Sequence, residues 1–284
     1  MRVLLTGANG QLGRCLQDKI SDDWNFLALN SSMLNISNSS AVYDIVSDFR
    51  PDFIINSAAY TAVDKAEEEI YISSKVNAHG SENLALAAKE TGAKLVHIST
   101  DYVFDGAAKS PYVETDSVNP LGAYGRSKLA GELLVQLALP QAIIIRTSWV
   151  FSEYGNNFLK TMLRLGKEKD TLNIVADQKG CPTYAGDIAE AIISLIKNDA
   201  KGGIYHYCGD KSTTWKEFAQ EIFRQALEQN KLLRSPQLNS ISTEQYPTPA
   251  TRPAYSTLDT SKIQKLGIRP SDWQSAIGTV LAKL

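Results

Sequence analysis

The sequence predicts an α/β fold: a doubly wound parallel sheet with a smaller α/β portion toward the C-terminus. Three observations predict it. Short runs rich in β-branched residues recur through the first half without polar alternation, as expected of strands covered on both faces. Amphipathic stretches of helical period lie between them. A glycine-rich turn, Gly7-x-x-Gly10-x-x-Gly13, follows the first run directly.

The elements follow in order. RVLLT (Arg2 to Thr6) reads as a buried strand and QLGRCLQDKI as the helix after it. NFLAL (Asn25 to Leu29) is a second strand. SAVYDIVSDF is a helix that stops at Arg50-Pro51, since proline disfavours a helical residue before it. DFIIN (Asp52 to Asn56) is a third strand, SENLALAAKETG a helix closed by Gly92, AKLVHIS a fourth strand and AIIIRTS (Ala142 to Ser148) a fifth. Beyond these, NNFLKTMLRLGKEK and GDIAEAIISLIKN are amphipathic helices and GIYHYCG one more strand. TTWKEFAQEIFRQALEQ is a helix with Thr213 or Thr214 as its N-cap. A proline-rich loop, YPTPATRPAYS, precedes a short final helix. The expected organisation is a Rossmann-type core over residues 1–150, with 187–208 returning to it. Residues 151–186 and 209–284 would form the substrate portion.

Composition narrows the function. With 29 Lys+Arg against 31 Asp+Glu, the net charge is -2 and no basic surface for nucleic acid is evident. No apolar run approaches the ~20 residues of a membrane span, and MRVLL reaches glycine too soon for a signal peptide. The three cysteines, Cys15, Cys181 and Cys208, have no metal-type spacing and read as buried, reduced thiols of a cytoplasmic protein. His79, His97 and His206 are scattered, and no metal site is expected.

The glycine turn opens a helix immediately after a strand. There, glycines permit a tight turn and close approach to a pyrophosphate, with the helix N-terminus facing the phosphates. The second strand ends at Asn30-Ser31, where an acidic residue would grip a ribose 2′-hydroxyl and repel a 2′-phosphate. Its absence favours NADPH with NADH tolerated, and Arg14 is within possible reach of a 2′-phosphate.

In GAYGRSKLAGE, Tyr124 and Lys128 are four apart and share a helical face. Alone, that spacing describes any solvated helical pair. Beside a nucleotide turn it acquires chemistry: an ammonium lowers a phenol's pKa, and the phenol gives a proton to a ketone oxygen as hydride reaches the carbon. Ser99, Thr100 and Asp101 end the fourth strand, where open parallel sheets bind ligands, and Thr100 is the hydroxyl expected to orient the carbonyl.

With these residues in place, the chain resembles the extended short-chain dehydrogenase/reductase superfamily, and within it the dTDP-4-dehydrorhamnose reductases. LLTGANGQLG, PDFIINSAAYTAVDKAEEE, ISTDYVFDG, YGRSKLAGE, IIRTSWVF, DQKGCPT and RPAYSTLD carry the resemblance along nearly the whole chain. It implies a catalytic trio of Thr100, Tyr124 and Lys128. It implies that Gly7, Asn9, Gly10, Gln11, Leu12 and Gly13 hold the pyrophosphate, with Asn30, Ala58, Ala59 and Tyr60 bordering the cofactor together with Tyr124 and Lys128. Val63, Thr100, Asp101, Tyr102, Val103, Tyr124 and Trp149 would border the sugar, and Asn157, Pro182, Thr183 and Arg252 the nucleotide end of the substrate. The implied substrate is a dTDP-linked 4-keto-6-deoxyhexose, reduced at C4 with NADPH.

Some members of the family dimerise through magnesium held by clustered glutamates. Here the corresponding first-helix position is Cys15 and the terminal TVLAKL offers no glutamate, so a monomer or weak homodimer without such a metal bridge is expected. Asn35 stands where the family has an acidic residue on the adenine side. The run DKAEEE (Asp64 to Glu69) reads as a solvated helical face, although the family places it near the floor of the site. Dehydratases of this fold need a glutamate after the active-site aspartate. Asp101 is followed by Tyr102, which argues against dehydration. An epimerase with retained cofactor, or a non-catalytic NADP-binding subunit like that of methionine adenosyltransferase, are the alternatives.

Overall fold

A computed structural model describes residues 1–284. Strand β1 (Arg2–Thr6) passes through the glycine turn into helix α1 (Gln11–Lys19), followed by β2 (Asn25–Leu29), α2 (Ser39–Phe49) and β3 (Phe53–Asn56). A short helix α3 (Ile70–Ser74) continues through a π-helical turn, Lys75–Gly80, into α4 (Ser81–Thr91). Then come β4 (Lys94–Thr100), α5 (Ala123–Ala138) and β5 (Ile143–Thr147). The second half holds β6 (Val150–Phe151), α6 (Phe158–Glu168), β7 (Thr171–Val175), β8 (Lys179–Gly180), β9 (Thr183–Tyr184) and α7 (Ala185–Lys197). It ends with β10 (Gly203–His206), β11 (Thr213–Thr214), α8 (Trp215–Glu228), β12 (Gln237–Ile241), α9 (Ser261–Gln264) and α10 (Trp273–Lys283).

Six parallel strands make the central sheet in the order β10-β5-β4-β3-β1-β2. The chain winds outward from β1 to β2, then returns to place β3 on the other side of β1. That reversal opens a crevice at the carboxyl ends of β1 and β3, where doubly wound sheets bind ligands. The strands read as unbroken apolar runs because successive side chains enter different cores. Leu4, Ile54, Leu95 and Ile144 pack beneath α2, α4 and α5. Val3, Leu5, Ile55, Val96 and Ile145 pack on the opposite face against residues of α1 and α7. Burying one such side chain contributes about 1.5–3 kcal/mol, so both faces are strongly specified.

A third core lies outside the sheet. Phe151, Leu159, Phe218, Phe223, Trp273 and Ile277 unite α6, α8 and α10. Helix α8 begins in a capping box: the Thr214 hydroxyl accepts from Glu217 N, and the Glu217 carboxylate accepts from Thr214 N at 2.9 Å. Of the two expected caps, Thr214 is the one used.

The π-helical turn has no signature of its own in the sequence. It is stabilised by Asn77, whose side chain accepts from Tyr60 N at 2.8 Å and donates to Tyr60 O and to Ser127 Oγ. No helix is long and apolar enough to cross a membrane. The three cysteines are free and buried, and Cys181 and Cys208 meet in one small core despite their separation in sequence.

Candidate active site

A cleft of about 790 Å³ runs along the carboxyl ends of the strands. It is lined at one end by the glycine turn and Asn30, and at the other by Thr100, Tyr124, Lys128 and Trp149. Ala58, Ala59, Val63, Asp101 and Tyr102 also line it.

The glycine turn is built for close approach. Gly7 has φ +77°, and a Cβ there would sit 2.6 Å from the backbone of Ser57 and Ala58. A Cβ at Gly13 would stand 2.2 Å from Gly7 O. Helix α1 starts at Gly10 with no side-chain cap, which leaves its first amides for a ligand. These features fit a dinucleotide: the cleft is large enough for one, and its floor at the turn is bare backbone. The side chain of Asn30 folds back, accepting from Ser32 N, Ser32 Oγ and Met33 N. Arg14 does not join it. Its guanidinium leans over the Tyr154 ring at 5.8 Å, and Arg14 is absent from the cleft lining.

Tyr124 sits on the first turn of α5, with Lys128 one turn later on the same face. Both line the cleft, though Lys128 is almost wholly buried. Lys128 Nζ donates to the backbone carbonyl of Ile98 at 2.7 Å. Burial lowers the ammonium to about 8, against a smaller upward pull from Glu132. Burial raises the Tyr124 phenol to about 12, with the Thr100 hydroxyl pulling it partly back. Burial is thus the dominant influence on the phenol, while the ammonium is anchored to the strand.

Thr100 ends β4 at the site. Its hydroxyl accepts from Tyr102 N and donates to Asp101 Oδ1 at 3.0 Å. Asp101 is buried, its other carboxylate oxygen has no partner, and burial raises its pKa to about 6. Tyr102 packs edge-on against Tyr124, ring centroids 5.5 Å apart.

Several expected site residues lie elsewhere. Tyr60 turns its hydroxyl to Glu69 at 2.6 Å, away from the cleft. Val103 is fully buried with Phe104 and Tyr112 in the small core. Asn157 caps α6 and donates to Gln11 Oε1 and Ser152 O. Pro182 and Thr183 are buried beneath the cleft, where Thr183 N donates to Trp149 O. The guanidinium of Arg252 is already held by both carboxylate oxygens of Asp64, at 3.0 and 2.9 Å.

The DKAEEE run is not a solvated face. Asp64 holds Arg252, Glu69 holds Tyr60, and Glu67 Oε1 accepts from Ala123 N at 2.7 Å at the start of the helix that carries Tyr124. His97, in the sheet core, is half satisfied: Nδ1 meets Asn56 at 3.0 Å, Nε2 has no partner, and burial holds its pKa well below the usual range. Sequence reasoning also missed Ser57, Thr61, Thr147, Ser148 and Asn156, all on the cleft. Their one available signal was position, at the ends of β3, β5 and β6 or a few residues beyond them.

The RmlD substrate binding domain model matches residues 1–284. The chain belongs to that family. Among its relatives, the dTDP-4-dehydrorhamnose reductase of Aggregatibacter actinomycetemcomitans is 48% identical over 99% of this chain and 98% of its own length. The enzyme of the same name from Escherichia coli K12 is 41% identical over 100% of this chain and 98% of its own. The crystal structure of dTDP-4-dehydrorhamnose reductase from Bacillus anthracis in complex with NADP superposes with a TM-score of 0.94 at 39% identity, covering 100% of this chain and 99% of that one. Membership in the RmlD family accounts for the fold and for a glycine turn facing a Tyr-Lys helix across one cleft.

Proposed function

We propose that the chain reduces the C4 ketone of dTDP-4-dehydro-β-L-rhamnose with NADPH, giving dTDP-β-L-rhamnose, the last step in making that sugar nucleotide. One observation carries the reading: the glycine turn and the trio Thr100, Tyr124 and Lys128 line one cleft in a chain 48% identical, end to end, to a reductase of that name.

Gly7 and residues 9–13 would hold the pyrophosphate, with Asn30, Ala58 and Ala59 beside the rest of the cofactor. NADPH, when bound, supplies the hydride. The chain's own residues do the remainder. Thr100 offers a hydroxyl at the strand end to orient the carbonyl oxygen. Tyr124, still a phenol throughout the neutral range, gives its proton to that oxygen as C4 gains hydride. Lys128 places a positive charge one turn along, near the nicotinamide end, where it favours the phenolate left behind. Val63, Tyr102 and Trp149 wall the sugar end. Residues 1–150 with 187–208 would serve the cofactor, and 151–186 with 209–284 the sugar nucleotide.

Three buried free cysteines suit the cytoplasm. The test follows loss of NADPH absorbance with enzymatically made dTDP-4-dehydrorhamnose, with UDP- and GDP-linked ketosugars alongside. Oxidation only with the dTDP substrate supports the reading. No oxidation, together with NAD⁺ retained on the purified protein, would shift it to an epimerase.

A further inference from the structure

The stretch DQKG (Asp177 to Gly180) lies behind the sugar end of the cleft and organises an aromatic wall. Trp149 lines the cleft with a left-handed backbone, φ +46°. For a bulky residue such a conformation costs roughly 1–3 kcal/mol and persists only where surroundings enforce it. Three contacts do so. The indole stacks on Trp215, centroids 3.5 Å apart and planes within 6°. The Nε1–Cε2–Cζ2 edge lies over Gly180, where a Cβ would come within 2.5 to 2.8 Å of those atoms. The Trp149 carbonyl accepts from Thr183 N.

The supports are themselves fixed. Gly180 pairs with Thr213 across the β8–β11 ladder, and Lys179 N donates to Ala254 O on the other side. Trp215 is the first residue of α8, directly after the N-cap Thr214. Its Nε1 donates to Gln178 Oε1 at 3.1 Å, and Gln178 Nε2 donates to Thr243 Oγ1 at 3.1 Å. Gln178 is buried, so this bridge is shielded from water.

Resting on the reading of the cleft as a sugar-nucleotide site, we infer that Gln178, Gly180 and Trp215 are positioning residues that set substrate affinity by holding the Trp149 indole. They do not touch the reacting atoms. Their loss should therefore raise KM while leaving the proton and hydride steps intact.

The experiment uses the full-length chain with Trp215→Leu, Gly180→Ala and the conservative Trp215→Phe. Steady-state kinetics with enzymatically made dTDP-4-dehydrorhamnose give KM and kcat, and fluorescence titration gives NADPH affinity. Far-ultraviolet circular dichroism reads the exciton signal of two stacked indoles. Trp215→Leu and Gly180→Ala should raise KM about 10-fold, with kcat within about 2-fold and NADPH affinity unchanged. Trp215→Phe should lose the exciton signal yet recover most of the KM. Should Trp215→Leu fail to fold, Gly180→Ala and Trp215→Phe carry the same comparison. KM unchanged in Gly180→Ala, or kcat and NADPH affinity falling as KM rises, overturns the inference. So does an exciton signal that survives Trp215→Phe. Wild-type protein inactive on this substrate but retaining that signal would instead overturn the functional reading.

Discussion

Lys128 Nζ lies 2.7 Å from the backbone carbonyl oxygen of Ile98, which ties α5 to the end of β4. The bond holds an ammonium in a buried place, and burial leaves it near pKa 8. As pH rises through about 8 the ammonium loses its proton, so kcat/KM should fall there. Tyr124, near 12, stays protonated over the same range and adds no limb. A pH profile of kcat/KM checks this. Lys128→Arg, always charged, should lose the limb near pH 8 whatever its absolute rate. A wild-type profile flat to pH 10 would sink the assignment.

Tyr124→Phe removes only the proton donor. Turnover should drop at least ~10²-fold, the scale of losing a general acid, with NADPH affinity retained. Turnover and fluorescence titration of the cofactor together decide it. Near-normal turnover would falsify the role of Tyr124.

Asp101 carries a buried carboxyl with one unpartnered oxygen. The unfolded chain releases this proton near pH 3.8 and the folded chain near 6, so the fold binds it more tightly. Stability contributed by this group therefore falls as pH rises through that interval. Asp101→Asn, neutral at every pH, should be more stable than wild type by about 3 kcal/mol at pH 8, with the advantage gone below pH 4. Urea unfolding of both proteins at several pH values measures the difference. An advantage independent of pH would point to packing instead.

Glu132 and Arg146 form an ion pair almost wholly out of water, bonded through Nε at 2.9 Å and Nη2 at 2.7 Å, with Ser99 Oγ also donating to the carboxylate. Glu132→Gln leaves the guanidinium buried without its counter-charge and should cost about 3–5 kcal/mol in urea unfolding. Replacing both partners, Glu132→Leu with Arg146→Met, should recover most of that loss, since no charge then remains inside. A double variant as unstable as the single one would mean that shape, and not charge, is what the pair supplies.

The core of the fold was legible in the chain because its evidence is local. Ile54 and Ile55 are adjacent, point to opposite faces, and are both fully buried, which is why DFIIN reads as a strand covered on two sides. Gly7 and Gly13 announce a turn that no side chain could make, and the spacing of Tyr124 and Lys128 places them on one face without any tertiary knowledge.

What stayed hidden depends on partners distant in sequence. Nothing near Glu67 says that it bonds Ala123 N, 56 residues on, or that Asp64 takes up the Arg252 fork 188 residues away. Val103, in the middle of STDYVFDG, faces a core made from four separate segments, while its neighbour Tyr102 faces the cleft. That Lys128 shares a helical face with Tyr124 was foreseeable; its bond to Ile98 was not. By itself the sequence determined the sheet, the glycine turn and the shared helical face of Tyr124 and Lys128, because periodicity and glycine sterics act within a few residues. Only the tertiary structure decided how those groups are charged and held, because burial and hydrogen-bond partners are set by segments that meet after folding.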